Sequence, residues 1–379
     1  MNGIPVARIL GFEIRLPLSW IFIIAIITVT VGTRLEPFLP GDTQAISWAV
    51  GLAASLGFLA SVVVHELAHA VVARRDGSET TVLLVQFIGS PSAVDVIASS
   101  PRAEGAVAIA GPLSSALIGG ACVLAALVFL AIGSALEAIA DGLLIVGALD
   151  LLLAGVSLVP AFPLDGARVV RAVAWARTGN RRSGTRIAGV IGKYAGRVIL
   201  VVGFAIVVVS QELTLDGIML GLAGWFLIAS ARSVDRWLIL DDLIQGMSVG
   251  EAMEHDMATI SPQLTLDTFA SGLLDGTVAP ALPVLEADEL VGIVGASQVK
   301  AVARRNWAAT RTADIMVAPP EMPTARPEDR LADALESLRR THLDGLPVLD
   351  GSTLRGVLTR RSIAILLHAR AEAQGTAIR

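Results

Sequence analysis

The hydrophobic positions of this chain fall in long runs rather than in stripes. Six apolar stretches, at about 17–34, 46–73, 103–133, 141–163, 187–210 and 215–231, match the roughly 20 residues needed to cross a bilayer, so six spans are expected. The polar positions between them are uneven in charge. Arg74 and Arg75 follow the second stretch; Arg168, Arg171, Arg177, Arg181, Arg182 and Arg186 separate the fourth from the fifth; Arg232 and Arg236 follow the sixth. The alternate loops hold Glu36, Asp42, Glu137, Asp141, Glu212 and Asp216, with Arg34 the one clear base. Basic loops stay in the cytoplasm, which puts both termini inside a multi-pass cell-membrane protein.

Composition supports this pattern. Hydrophobic residues make up 54% of the 379 and charged residues 17%, too apolar for an ordinary soluble domain. A net charge of −5 gives no reason to expect nucleic-acid binding. The single cysteine, Cys122, excludes an intrachain disulfide and a cysteine metal cluster. Met1–Leu16 carries Arg8 and Arg15 ahead of the first run; without a small-residue cleavage site in a polar context after Thr33, it reads as the lead-in to an uncleaved span.

The chemistry concentrates at the end of the second run, in His65, Glu66, Leu67, Ala68 and His69. Imidazoles four apart on a helix share one face and can grip one zinc ion, and the adjacent carboxylate can take a proton from attacking water. The pattern alone also fits a polar helix end at the membrane surface. Ionisable groups in an otherwise apolar span are costly and usually functional, which favours the metal. A zinc site needs a third protein ligand and an open position. The other histidines, His255, His342 and His368, lie in the polar tail, so the third ligand is expected to be a carboxylate. Asp165 is the natural candidate: Pro160 and Pro163 break the fourth run just before it and Gly166 permits a tight turn. The second and fourth spans run the same way, so all three ligands meet near the cytoplasmic side.

Other positions read more plainly. Thr80–Ile88, Gly89-Ser90-Pro91 and Ser92–Ala98 suggest a short membrane-associated β-hairpin, either a substrate-pairing edge or a surface feature tucked against headgroups. Asp150, inside an apolar run, is expected to make a helix-to-helix hydrogen bond rather than line a water path. Gly111, Ser114, Ser115 and Gly119 give the third span a small-residue packing face. The arginines at 168–186 read as a topology determinant and lipid contact, and Lys193 and Tyr194 as interface anchors.

After Asp241 the chain turns polar and repeats itself. Glu251-Ala252-Met253 is echoed by Asp314-Ile315-Met316, Leu282-Pro283-Val284 by Leu346-Pro347-Val348, and Val291-Gly292-Ile293-Val294 by Arg355-Gly356-Val357-Leu358. Each copy reads as strand, helix, strand, strand, helix and resembles a CBS domain. The division expected is 1–240 membrane domain, 241–245 linker, 246–306 and 307–370 CBS repeats, 371–379 tail. Tandem CBS domains often hold adenine nucleotides, contacted by a Thr or Ser and an Asp three residues later. Here those places hold Gly295 and Gln298, then Thr359 and Ser362. Thr359 keeps nucleotide binding open, and a dimerisation or docking module is favoured.

The HELAH run, Ala110-Gly111-Pro112-Leu113 and the segment 160–166 together resemble the site-2 protease family of intramembrane zinc metalloproteases. The resemblance implies an α-helical membrane bundle with a cytoplasmic α/β CBS module. It implies one zinc per chain on His65, His69 and Asp165, with Glu66 as catalytic base. It implies single-span membrane proteins as substrates, often anti-sigma factors, cut after a first cleavage elsewhere. Two departures bear on substrate binding: Ser157 replaces the family asparagine, and Gly89-Ser90 stands for its Gly-Gly. Two other functions stay open. One is a CBS-regulated transporter or channel, although the spans show one break and no repeat. The other is a weakly active family member that holds membrane partners, with a homodimer through the CBS modules in either case.

Overall fold

The computed structural model describes residues 3–35, 44–78, 81–85, 98–133, 136–210, 212–255, 257–274, 279–341 and 343–373. The chain divides into two compact units, Met1–Asp235 and Arg236–Arg379.

The first unit is helical. Strands β1 (Ile4–Ile9) and β2 (Phe12–Leu16) precede α1 (Ser19–Leu35) and α2 (Gln44–Arg75); β3 (Val82–Leu84), α3 (Pro101–Ile132), α4 (Glu137–Ser157), α5 (Asp165–Thr178), α6 (Arg181–Val209) and α7 (Thr214–Ile244) follow, the residues of α7 after Asp235 belonging to the second unit. Among the described residues, α2, α3, α4, α6 and α7 hold five stretches long and apolar enough to cross a membrane. The helix at Ser19–Thr33 is apolar but shorter. Local chemistry sets the ends. Ser100 caps α3 by accepting from the Ala103 amide, and Pro101 occupies a first-turn position where its missing N–H costs nothing. Gly179 closes α5 at φ +70°, and Asn180 caps α6 through the Arg182 and Ser183 amides.

The structure departs from expectation at both ends of this unit's site. The lead-in before α1 is a β-hairpin: β2 alternates, with Phe12, Ile14 and Leu16 apolar and Glu13 and Arg15 polar, whereas β1 is apolar at nearly every position. β2 pairs antiparallel with β1 and parallel with β3, giving a sheet in the order β1-β2-β3. Phe12, Ile14, Trp20 and Val85 pack on Phe58, Val62 and Ala70 of α2, and the Trp20 indole donates to the Val85 carbonyl at 2.9 Å. An Arg74 guanidinium nitrogen donates to Leu10 O at 2.7 Å, which pins the hairpin tip to the end of α2. The sheet is thus seated on the helix that carries the histidine pair. Most of the hairpin expected over 80–98, Gly89 and Ser90 included, lies outside the described residues. The fourth run stops at Ser157 rather than at 163, and a separate helix, α5, begins at Asp165.

Helix packing is close where glycine allows it. A Cβ on Gly203 would fall 2.4 Å from the Gly221 amide nitrogen, and one on Gly224 2.5 Å from that of Leu200, so the backbones of α6 and α7 touch. Inside the bundle, Ser61 on α2 donates to Asp150 on α4 at 2.5 Å, the interhelical bond expected for that buried acid.

The second unit holds α8 (Val249–Ala252), α9 (Leu266–Leu274), β4 (Ala281–Glu286), β5 (Glu289–Gly295), α10 (Ala296–Lys300), α11 (Leu331–Thr341), β6 (Gly345–Asp350), β7 (Thr353–Thr359) and α12 (Arg360–Ala373). The two hairpins repeat each other in register: Ala281 faces Gly295 as Gly345 faces Thr359, each with an irregularity after the central valine. The copies also exchange segments. Val317 bridges to Ile293, and Glu254 bridges back to Val357. Met247, Val249 and Ala252 from the start of the first copy are buried in the core of the second, beside Leu346, Val348 and Leu358. Each copy therefore completes its structure with a segment of the other, and Ala281, Ile293 and Val357 pack together where the two meet.

Removing the Ser61 hydroxyl leaves a buried carboxylate without its donor. Ser61→Ala is expected to cost about 1–3 kcal/mol, read as a lower unfolding temperature in detergent. Asp150→Asn keeps the acceptor oxygen and is expected to cost less.

Candidate metal centre

α2 places His65 and His69 one helical turn apart on the face turned toward α3 and α5. His65 is 5% exposed. Their Nε2 atoms stand 3.2 Å apart, and Asp165 Oδ2 lies 3.5 Å from His65 Nε2 and 3.2 Å from His69 Nε2. Ligands at zinc bond lengths of about 2.0–2.1 Å in a tetrahedron are separated by about 3.3 Å. The triangle has the size of one tetrahedral face.

The far side of each ring fixes which nitrogen faces the triangle. His69 Nδ1 lies 2.6 Å from the Val107 carbonyl, which can only accept, so Nδ1 carries the proton and Nε2 presents a lone pair. His65 Nδ1 is 2.9 Å from Ser115 Oγ, a hydroxyl that can donate or accept, so this contact orients the ring and is compatible with either tautomer. With both Nε2 atoms unprotonated, two lone pairs and a carboxylate oxygen converge in a buried space, where a shared cation, a metal ion or a proton, offsets their repulsion. The donor set, two imidazoles and one carboxylate, suits zinc. Gly111 completes the cradle: a Cβ there would fall 2.2 Å from His69 Nε2 and 2.5 Å from His65 Nε2. The small-residue face of α3 is therefore more than packing, because Gly111 and Ser115 lie against the imidazoles.

Asp165 reaches this point because the chain breaks. Leu158–Leu164 is irregular, with Ala161 and Phe162 buried as anchors. α5 then starts at Asp165, whose carboxylate sits in the first turn, where the helix dipole favours an anion. Gly166 allows the turn, since a Cβ there would lie 2.2 Å from Leu158 O. From the other side Gly192 of α6 packs on Ala161, its Cβ direction 3.1 Å from the Ala161 Cα.

The remaining candidates divide. Glu66, beside His65, lies within electrostatic reach of both imidazoles and of Asp165. Ser157 is buried at the end of α4, 6% exposed. Thr359, in the second unit, is satisfied internally: its hydroxyl donates to Glu254 at 3.2 Å and accepts from the Ser362 amide at 3.0 Å. The Gly295 amide likewise donates to Gln298 at 3.0 Å. The reading of the loop arginines needs correction. Arg168 and Arg171 are 4% and 1% exposed and both donate to the buried Glu104, so they are internal rather than lipid-facing; Arg177 and Arg186 are exposed. Glu104 and the Val107 carbonyl escaped the sequence reading, and Ser115 reads there only as a packing residue. Ser115 and Glu104 lie close to Ala110-Gly111-Pro112-Leu113, but nothing in their spacing identifies a partner.

Comparison with known proteins places the chain in a family. The chain is 30% identical over 380 residues to a Mycobacterium tuberculosis protein named "Putative zinc metalloprotease Rip3", covering 98% of this chain and 95% of the relative. It is 27% identical to "Zinc metalloprotease MJ0392" of Methanocaldococcus jannaschii, covering 94% and 93%. Residues 313–369 match the CBS domain family. A solved site-2 protease from Methanocaldococcus jannaschii is similar at 26% identity over 61% of this chain and 94% of that one, with a TM-score of 0.38. The fold and its relatives define a multi-pass membrane zinc metalloprotease with a CBS tail. The chain belongs to the site-2 protease family.

A methyl group at Gly111 would occupy the space between the imidazoles. Gly111→Ala is expected to lower the zinc content of purified protein at least about tenfold while the protein elutes as wild type; unchanged zinc would refute the cradle.

Proposed function

We propose that this protein is an intramembrane endopeptidase that holds one zinc ion per chain on His65, His69 and Asp165. The observation that carries the reading is the triangle of donor atoms, 3.2, 3.2 and 3.5 Å on its edges, fixed by the Val107 and Ser115 contacts. When bound, zinc would lower the pKa of a water and polarise the scissile carbonyl. Glu66 acts as general base: it takes the proton released as the water oxygen bonds to the carbonyl carbon. It then passes that proton to the amide nitrogen as the C–N bond breaks, leaving a carboxylic acid and an amine. Ser157 and the Gly89-Ser90 segment orient the substrate, with Ser157 as a single hydroxyl donor where the family has a carboxamide.

The substrate class follows from depth. A peptide bond within an intact helix is shielded, so a single-span protein must unwind near the site before it is cut. β3 stands at the edge of its sheet among the described residues and can pair with an unwound strand. Regulated intramembrane proteolysis, for instance of an anti-sigma factor, fits these requirements. The charge of the loops favours a cytoplasmic site, with both termini and the CBS module inside. The internal bonds of Thr359 and Gly295 favour a regulatory or dimerisation role for that module over adenine-nucleotide binding.

Cleavage of a model single-span substrate in proteoliposomes tests the reading. Glu66→Gln is expected to keep its zinc and lose activity by about 10²–10⁴-fold. Chelation should abolish wild-type cleavage and added zinc restore it. Full activity in either state would exclude this mechanism.

A further inference from the structure

Beneath the metal centre lies a buried cluster that the mechanism does not use. Glu104 on α3 is 0% exposed, Arg168 on α5 4% and Arg171 on α5 1%. Arg168 Nε donates to Glu104 Oε1 at 3.2 Å, and Arg171 donates to the same oxygen. Arg181, at the start of α6, stands 3.8 Å from Glu104 Oε2.

Its placement is specific. Glu104 sits one turn before Val107, whose carbonyl braces His69, and Arg168 sits one turn after Asp165. The Glu104–Arg168 contact thus joins the helix that orients the imidazoles to the helix that begins with the third donor. Arg171 reaches the same region from the other side, its guanidinium 5.8 Å from the centre of the Phe162 ring in the break before Asp165. Asp165 is therefore bracketed, by Phe162 before it and by Arg168 after it, through one carboxylate.

Stability alone does not account for such a cluster. Buried ion pairs are often replaceable by apolar side chains with no loss of stability, because desolvation offsets the attraction. This one is incompletely satisfied: Arg168 Nη2 and Arg171 Nε are buried without an acceptor. What charged hydrogen bonds give, and apolar packing does not, is direction.

We propose that Glu104, Arg168 and Arg171 form a positioning network that sets the Asp165 carboxylate against the two imidazoles. The proposal rests on the reading of His65, His69 and Asp165 as zinc ligands. The test uses full-length protein in detergent, with zinc affinity measured by competition against a chromophoric chelator and geometry read from the d–d spectrum of the cobalt-substituted form. Glu104→Gln is expected to weaken zinc binding about 10–100-fold and to shift the cobalt bands. The combined variant Glu104→Met, Arg168→Met, Arg171→Leu removes every charge at once; it is expected to unfold at or above the wild-type temperature and still to bind zinc weakly. Wild-type affinity and spectrum in the folded triple variant, or in Glu104→Gln, would overturn the proposal, and so would failure of both variants to fold. Wild-type protein that takes up no zinc would remove the metal reading, and this proposal with it.

Discussion

The structure of the first unit depends on one electrostatic constraint. Two imidazole nitrogens and a carboxylate oxygen are held 3.2–3.5 Å from one another in a buried space. Such an arrangement needs a shared positive charge at its centre, and it has to be enforced from outside. The enforcement is visible on every side. Val107 O and Ser115 Oγ fix the rings, the absent side chain of Gly111 leaves the centre open, and the chain break at Leu158–Leu164 delivers Asp165 at a helix start.

Much of the bundle can be understood as support for that convergence. α2 carries the histidines and is itself clamped, by the sheet packed on Phe58 and Val62 and by the Ser61–Asp150 bond to α4. α3 presents its small residues to the imidazoles, and α6 closes on the break through Gly192. Glycine recurs because backbone must approach backbone or ring, and a bilayer gives helices no hydrophobic reason to associate on their own. Polar contacts are few, short and placed where two elements must keep a fixed offset.

The sequence carried the candidate ligands plainly, because metal chemistry restricts residue type and helical spacing restricts position. His65, Glu66 and His69 announce themselves, and the two prolines before Asp165 mark a break that a membrane tolerates only for a purpose. The CBS repeat was legible for a similar reason: Leu282-Pro283-Val284 and Leu346-Pro347-Val348 keep the same register in both hairpins. The supporting contacts were not legible. Ser115 looks like any small packing residue, the Val107 contribution is a backbone carbonyl, and a basic loop after a span reads as a topology signal even where two of its arginines fold inward onto Glu104. The N-terminal hairpin was half legible: β1 is apolar at nearly every position, but Phe12-Glu13-Ile14-Arg15-Leu16 alternates as a strand does and was outweighed by the apolar run that follows it. Tertiary partners, not local pattern, decide each of these.

Zinc K-edge absorption spectroscopy of the purified full-length protein tests the central claim most directly. The account predicts one zinc per chain with exactly two imidazoles in the multiple-scattering pattern and all nearest neighbours nitrogen or oxygen at about 2.0–2.1 Å. A spectrum with one or three imidazoles, or with sulfur in the coordination sphere, would contradict it.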